Sequence, residues 1–186
     1  MTRRHFAAIA VAALLAACAA VPLAPRAPQP FDLVGRMLVT YGGGALTANT
    51  RWEHALEQDQ IWLMTPTGQT LAYIVDTKQG ATLTSADQKQ YRAGSVEALT
   101  RQALGWSLPL ALMQYWVKGE PAPSSVPQGL EQGVDKLPRA LTQNGWRVAF
   151  AYYDEGPFTG KVRRLDLNDG ANEIRLVIDN WRDTGK

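Results

Sequence analysis

Residues 140–153 read ALTQNGWRVAFAYY. Asn144-Gly145 lies between two runs of strand-forming residues. Asn-Gly is the strongest short hairpin signal, because both residues tolerate the positive φ that a tight turn needs. Strands are therefore expected over Ala140–Gln143 and Trp146–Tyr153. Side chains alternate along a strand. Trp146, Val148, Phe150 and Tyr152 then share one face, and Arg147, Ala149, Ala151 and Tyr153 the other.

The same pattern extends outward in both directions. Lys161–Leu167 and Glu173–Asp179 flank Asn168-Asp169-Gly170, and Ile174, Leu176 and Ile178 share a face. Upstream, Phe31–Tyr41 ends at Gly42-Gly43-Gly44, with Ala45–Glu53 as its return strand. Ile61–Met64 and Thr70–Asp76 flank one turn, and Gly80–Ser85 and Gln90–Arg92 flank another. Connections of hairpin length imply an antiparallel sheet, since parallel strands need long crossovers.

Two segments break the pattern. Ser95–Leu104 starts with an N-capping serine, stops before Gly105, and carries Val96, Leu99, Ala103 and Leu104 near one helical face. Pro109–Val117 has proline in the first-turn position and closes near Gly119. Its apolar residues run almost all round, so it is expected to be covered or to cover something. Adjacent helices of this kind fit one side of a strongly bent sheet, where they would lie over a concavity. The expected class is mainly β with two or more helices.

The amino-terminal region carries an address. Arg3 and Arg4 precede an uncharged run, residues 6–17, in the pattern of a signal peptide. The run is shorter than the roughly 20 apolar residues that span a bilayer. Leu15-Ala16-Ala17-Cys18 resembles the bacterial lipobox, which is cut just before its cysteine. The Cys18 thiol would then carry a diacylglycerol and its freed amine a third acyl chain. The rivals are an ordinary secretory signal with a chance cysteine, or a buried thiol. Two or more acyl chains anchor a protein firmly, at roughly 0.8 kcal/mol per buried methylene. Three units follow: residues 1–17 as signal peptide, 18–30 as lipidated cysteine and proline-rich tether, and 31–186 as one folded domain. Ala19 stands where an aspartate would favour the inner membrane in the enterobacterial pattern, so the outer membrane is expected.

The chain has 19 Lys+Arg and 17 Asp+Glu. Removing residues 1–17 takes away Arg3 and Arg4 and no acid, which leaves a neutral domain and no footprint for nucleic acid. His5 falls in the signal, and His54 stands alone beside Glu53, read as a solvated residue at a strand end. Neither a G-x-S-x-G nor a phosphate-binding loop is present in the sequence. A non-catalytic protein is expected, with no metal and no cofactor beyond the lipid on Cys18.

An ordered set of residues adds to this. Phe31-x-x-x-Gly35-Arg36 opens the domain, followed by Arg51-Trp52 and Thr65-Pro66-Thr67-Gly68. Trp106-x-Leu108-Pro109 leads into Leu112-x-x-Tyr115-Trp116-x-x-Gly119. Gln143-Asn144-Gly145-Trp146-x-Val148 precedes Tyr152-Tyr153, and Asp179-Asn180-Trp181 closes the set. Behind a lipobox, this series resembles the LolB family of outer-membrane lipoprotein receptors. The resemblance implies a half-open antiparallel barrel with helices at its mouth, on the periplasmic face of the outer membrane. It implies a LolA-like periplasmic carrier and acylated lipoprotein clients as partners, the outer membrane reached through the lipid anchor, and a monomer. The expected acyl-chain cavity is lined by Leu63, Leu71, Tyr73, Trp146, Val148 and Phe150 from the sheet, and by Leu99, Leu104, Leu112 and Trp116 from the helices. Arg36 is the expected lid contact. By this resemblance the turn Thr65, Pro66, Thr67 and Gly68 is the candidate membrane-insertion loop, but Thr65 and Thr67 stand where better-known members carry asparagine and leucine. The rival readings are a lipid or glycolipid shuttle and an envelope assembly factor.

Overall fold

The computed structural model describes residues 27–182. Cys18, the signal segment and most of the tether lie outside the described residues. Eleven strands form one sheet: β1 (Phe31–Tyr41), β2 (Gly44–His54), β3 (Gln58–Met64), β4 (Thr70–Thr77), β5 (Gly80–Ser85), β6 (Gln90–Ala93), β7 (Gln128–Gln132), β8 (Pro138–Gln143), β9 (Trp146–Tyr152), β10 (Val162–Asn168) and β11 (Glu173–Arg182). Helices α1 (Val96–Leu104) and α2 (Leu110–Trp116) fall between β6 and β7.

The strand order is β6-β5-β4-β3-β2-β1-β11-β10-β9-β8-β7. Strands β1 and β11 pair antiparallel at the centre, and hairpins fan out from them on both sides. The edges of the sheet are therefore β6 and β7, and the chain must pass from one to the other through the two helices. This open, wrapped antiparallel sheet with two helices is the class that the hairpin signals imply.

Alternation sends one set of side chains inward. Leu33, Val39, Ile74, Leu83, Val148 and Leu165 are all fully buried. The helices meet them with Leu99, Leu110, Met113 and Trp116, and the whole forms one contiguous apolar cluster. α1 begins where the Ser95 hydroxyl accepts a hydrogen bond from the Ala98 amide at 3.3 Å. It ends at Gly105, whose φ of 81° lets its amide turn back onto the Arg101 carbonyl. Pro109 stands just before α2, at the cap rather than inside the first turn.

Two further details differ from the sequence reading. β7 carries no alternating pattern, because all five of its residues are exposed on the sheet edge. On β4, a register shift at Leu63/Met64 pairs Leu63 with Ala72 and Met64 with Thr70. Leu71 is the extra residue of this bulge and packs half-buried against the core. Ala72 and Ile74 then point inward, and Tyr73 lies on the outer face. There its ring stacks on Trp62, centroids 5.1 Å apart, and its hydroxyl donates to Gln60 at 2.5 Å. The expectation that Tyr73 lines the concavity is therefore corrected.

Gly35 fixes the central pairing. The β1–β11 register shifts between Val34 and Gly35, and a Cβ on Gly35 would sit 2.1 Å from the Val177 carbonyl oxygen. The obstacle is backbone, so it cannot swing aside. We expect Gly35→Ala to cost about 2 kcal/mol or more, in the range of overpacked interiors. Urea unfolding measures it, and an unchanged midpoint would contradict the close approach.

Candidate functional site

The inner face of the sheet and the helix laid across it form the candidate site. α2 is seven residues long, with Leu110, Met113 and Trp116 buried against the sheet. Two polar side chains from opposite halves of the sheet fasten it. On one side, the Asp59 carboxylate of β3 accepts from Gln114 Nε2 of α2 at 2.6 Å. It also accepts from Trp52 Nε1 at 2.6 Å and from His54 Nδ1 at 2.9 Å. On the other side, the Gln143 side-chain oxygen on β8 accepts from Trp116 Nε1 at 3.0 Å and from the Ala122 amide at 2.9 Å. Its nitrogen donates to the Ala122 and Ser125 carbonyls, both at 2.6 Å. α2 thus straps β3 to β8 across the concave face.

Burial explains why both fastenings are polar networks. Asp59 is 4 % exposed and Gln143 2 %, and a buried polar group is costly unless it is hydrogen-bonded. A carboxylate only accepts, so His54 Nδ1 is the donor in their contact. His54 Nε2 is buried and has no partner. The expected solvated histidine is therefore corrected: it is 6 % exposed, and the Phe31 ring lies 5.0 Å from it.

The expected cavity residues divide into groups. Leu63, Leu99, Trp116 and Val148 are fully buried, and Trp146 and Phe150 nearly so. Leu71, Leu104 and Leu112 are half-buried against the same cluster. With α2 in place these side chains pack together as core. Arg36 does not reach the helices. Odd-numbered residues of β1 face inward here, so Arg36 points out. It forks onto Asp179, with Nε at 3.0 Å and Nη2 at 2.7 Å. The expected lid contact is thereby corrected, and the side chains that do fasten the lid are Asp59, Gln114 and Gln143.

The Thr65–Gly68 turn is exposed and satisfies itself. The Thr65 and Thr67 hydroxyls lie 2.8 Å apart, the Gln69 amide donates to Thr65 Oγ1 at 3.0 Å, and Gly68 takes φ 87°. Its tip is polar. Among the described residues no group of three or more His, Cys, Asp or Glu side chains could hold a metal ion.

A cleft of about 310 Å³ opens beside the Asp59 fastening, lined by His54, Asp76, Lys78, Ala111 and Gln114 among others. Burial, with the charges of Asp59 and Glu97, pushes the Asp76 carboxyl up to about 6.

An open antiparallel sheet whose apolar inner face lies under a helix held from both halves of the sheet defines a fold class, the half-open antiparallel barrel. The comparisons are specific. The family model for outer membrane lipoprotein LolB matches residues 29–181, so the chain belongs to the LolB family, a family of outer-membrane lipoproteins. The outer-membrane lipoprotein LolB of Nitrosomonas europaea is 36% identical over 84% of this chain and 74% of its own. That of Thiobacillus denitrificans is 34% identical over 96% and 98%, and that of Chromobacterium violaceum 32% over 94% and 96%. A solved LolA superfamily protein of Nitrosomonas europaea is 8% identical, with a TM-score of 0.47 over 87% of this chain and 90% of that one.

Asp76 generates a pH prediction. Between about pH 4 and 6 the unfolded chain loses this proton before the folded one does, so folding stability falls as pH rises through that window. Asp76→Asn removes the buried charge. We expect it to stabilise the domain at pH 7.5 by on the order of 1 kcal/mol, after discounting for solvent screening of a half-buried group. The gain should vanish at pH 3.5. Thermal unfolding at the two pH values checks it, and an equal gain at both would contradict it.

Proposed function

We propose that this protein is a lipid-anchored receptor on the periplasmic face of the outer membrane. It takes acylated lipoproteins from a LolA-like carrier and releases them into the membrane. Cys18 carries the anchor, and the proline-rich tether holds the domain off the bilayer. The observation that carries the reading is the strapped helix: the apolar inner face is one continuous cluster, and the short helix α2 lies across it beside α1, which packs on β5 and β6. Acyl chains take the place of α2 against Leu63, Leu99, Val148 and their neighbours when the strap lifts.

The energetics suit a receptor that works without nucleotide. A triacylated client in water exposes tens of methylenes, each worth roughly 0.8 kcal/mol on burial. Shifting a client from 1:99 to 99:1 between carrier and receptor takes about 5.5 kcal/mol of affinity difference. That is about seven methylenes at roughly 0.8 kcal/mol each. The membrane, which buries every methylene, is the final sink.

Transfer with purified components tests the proposal. A LolA-like carrier loaded with an acylated lipoprotein is mixed with the receptor in excess and no nucleotide. We expect the client to move to the receptor, and on to liposomes when these are added. A client that stays on the carrier would contradict the reading. Depletion in cells separates the rivals: a receptor leaves lipoproteins stranded on the carrier, and a glycolipid shuttle or assembly factor does not.

A further inference from the structure

The two fastenings of α2 are unequal. At its carboxy-terminal end, Gln143 holds both the Trp116 indole and the backbone of the following segment at Ala122 and Ser125. Lys118, just beyond the helix, stands 5.9 Å from the Phe31 and Trp181 ring centroids. On the β3 side, among the described residues, a single polar contact reaches the helix, Gln114 to Asp59. Trp52 and His54 also donate to Asp59, but both belong to β2 and stay with the sheet. The carboxylate therefore keeps two partners when Gln114 leaves. The contact also lies beside an open cleft, so water can replace Gln114 without crossing the core.

We propose that Asp59 and Gln114 form a releasable latch, and that α2 opens by pivoting about its end at Gln143. A carboxylate left with two donors and reached by water gives up one hydrogen bond on release, whereas removing Gln143 would strand four, three of them buried. Asp59 is a positioning residue: Trp52 and His54 hold its Oδ1, which aims the other oxygen, Oδ2, at Gln114 of the helix. The part of the concave face over β3 and β4 is uncovered first, and Leu63 and Ile74 are the first wall an acyl chain meets, while α1 stays packed on β5 and β6. This inference rests on the receptor reading for its purpose, but the latch itself is a property of the chain alone.

The test uses the full-length protein in detergent with no client, read by hydrogen exchange of the α2 amides. Gln114→Leu removes the donor while keeping bulk. Gln114→Lys restores a donor to Asp59. We expect α2 in the leucine variant to exchange at least about tenfold faster than in the native chain, the scale of one lost hydrogen bond to a charged group. Exchange over β1 and β11 should be unchanged, and the lysine variant should return α2 to near native rates. Unchanged α2 exchange in the leucine variant would overturn the latch. So would equal acceleration over the whole sheet, or failure of the lysine variant to rescue. Capture of a fluorescent 16-carbon fatty acid is read separately and should be faster in the leucine variant. If α2 exchange behaves as expected but no variant captures the probe, the latch stands and the receptor reading fails.

Discussion

The rest of this structure depends on one crossing. Pairing β1 with β11 places both ends of the domain in the middle of the sheet. The two unpaired edges are then β6 and β7, and the chain between them has to traverse the concave face. That face is apolar by alternation, so whatever crosses it must be apolar underneath. Hence α2 is apolar almost all round, and its few polar side chains sit where the sheet can receive them. A sheet closed by direct pairing of β6 with β7 would have no need of a strap. It would also have no way to open.

The fold and the proposed opening of the strap follow from the same arrangement. The strands are joined by antiparallel ladders throughout, and Gly35 lets β1 and β11 approach until backbone meets backbone. The strap is held by packing and by two networks centred on Asp59 and Gln143. Hydrophobic contact is non-directional, so one apolar occupant can replace another against the same wall. Buried polar groups are directional, and they fix where the helix rests when nothing else is bound. In the proposed function the apolar face supplies affinity for acyl chains, and the polar fastenings set how readily the helix yields.

Much of the fold was legible because its signals are local. Asn144-Gly145 and Asn168-Asp169-Gly170 mark turns within a few residues, and Ser95 and Gly105 bound α1. β7 was not legible, because an exposed edge strand needs no apolar alternation. Tyr73 was misplaced by a one-residue bulge, which moves side chains across a sheet. Arg36 was misassigned although alternation along β1 already sends it outward. The site was less legible than the fold. Asp59 and Gln114 are 55 residues apart, and nothing near either one names the other. His54 looked solitary because β3 was read from Ile61, which left Asp59, its partner across the β2–β3 hairpin, outside the strand.

The central claim is that α2 leaves the concave face when a client is held. Spin labels on Ala111 of α2 and Lys78 of the β4–β5 turn, both exposed beside the same cleft, report the separation directly. With an acylated lipoprotein bound, the account predicts that the pulsed-dipolar distance distribution shifts to longer values, and that a non-acylated form of the same client leaves it in place. A client bound with the Ala111–Lys78 distance unchanged would contradict it.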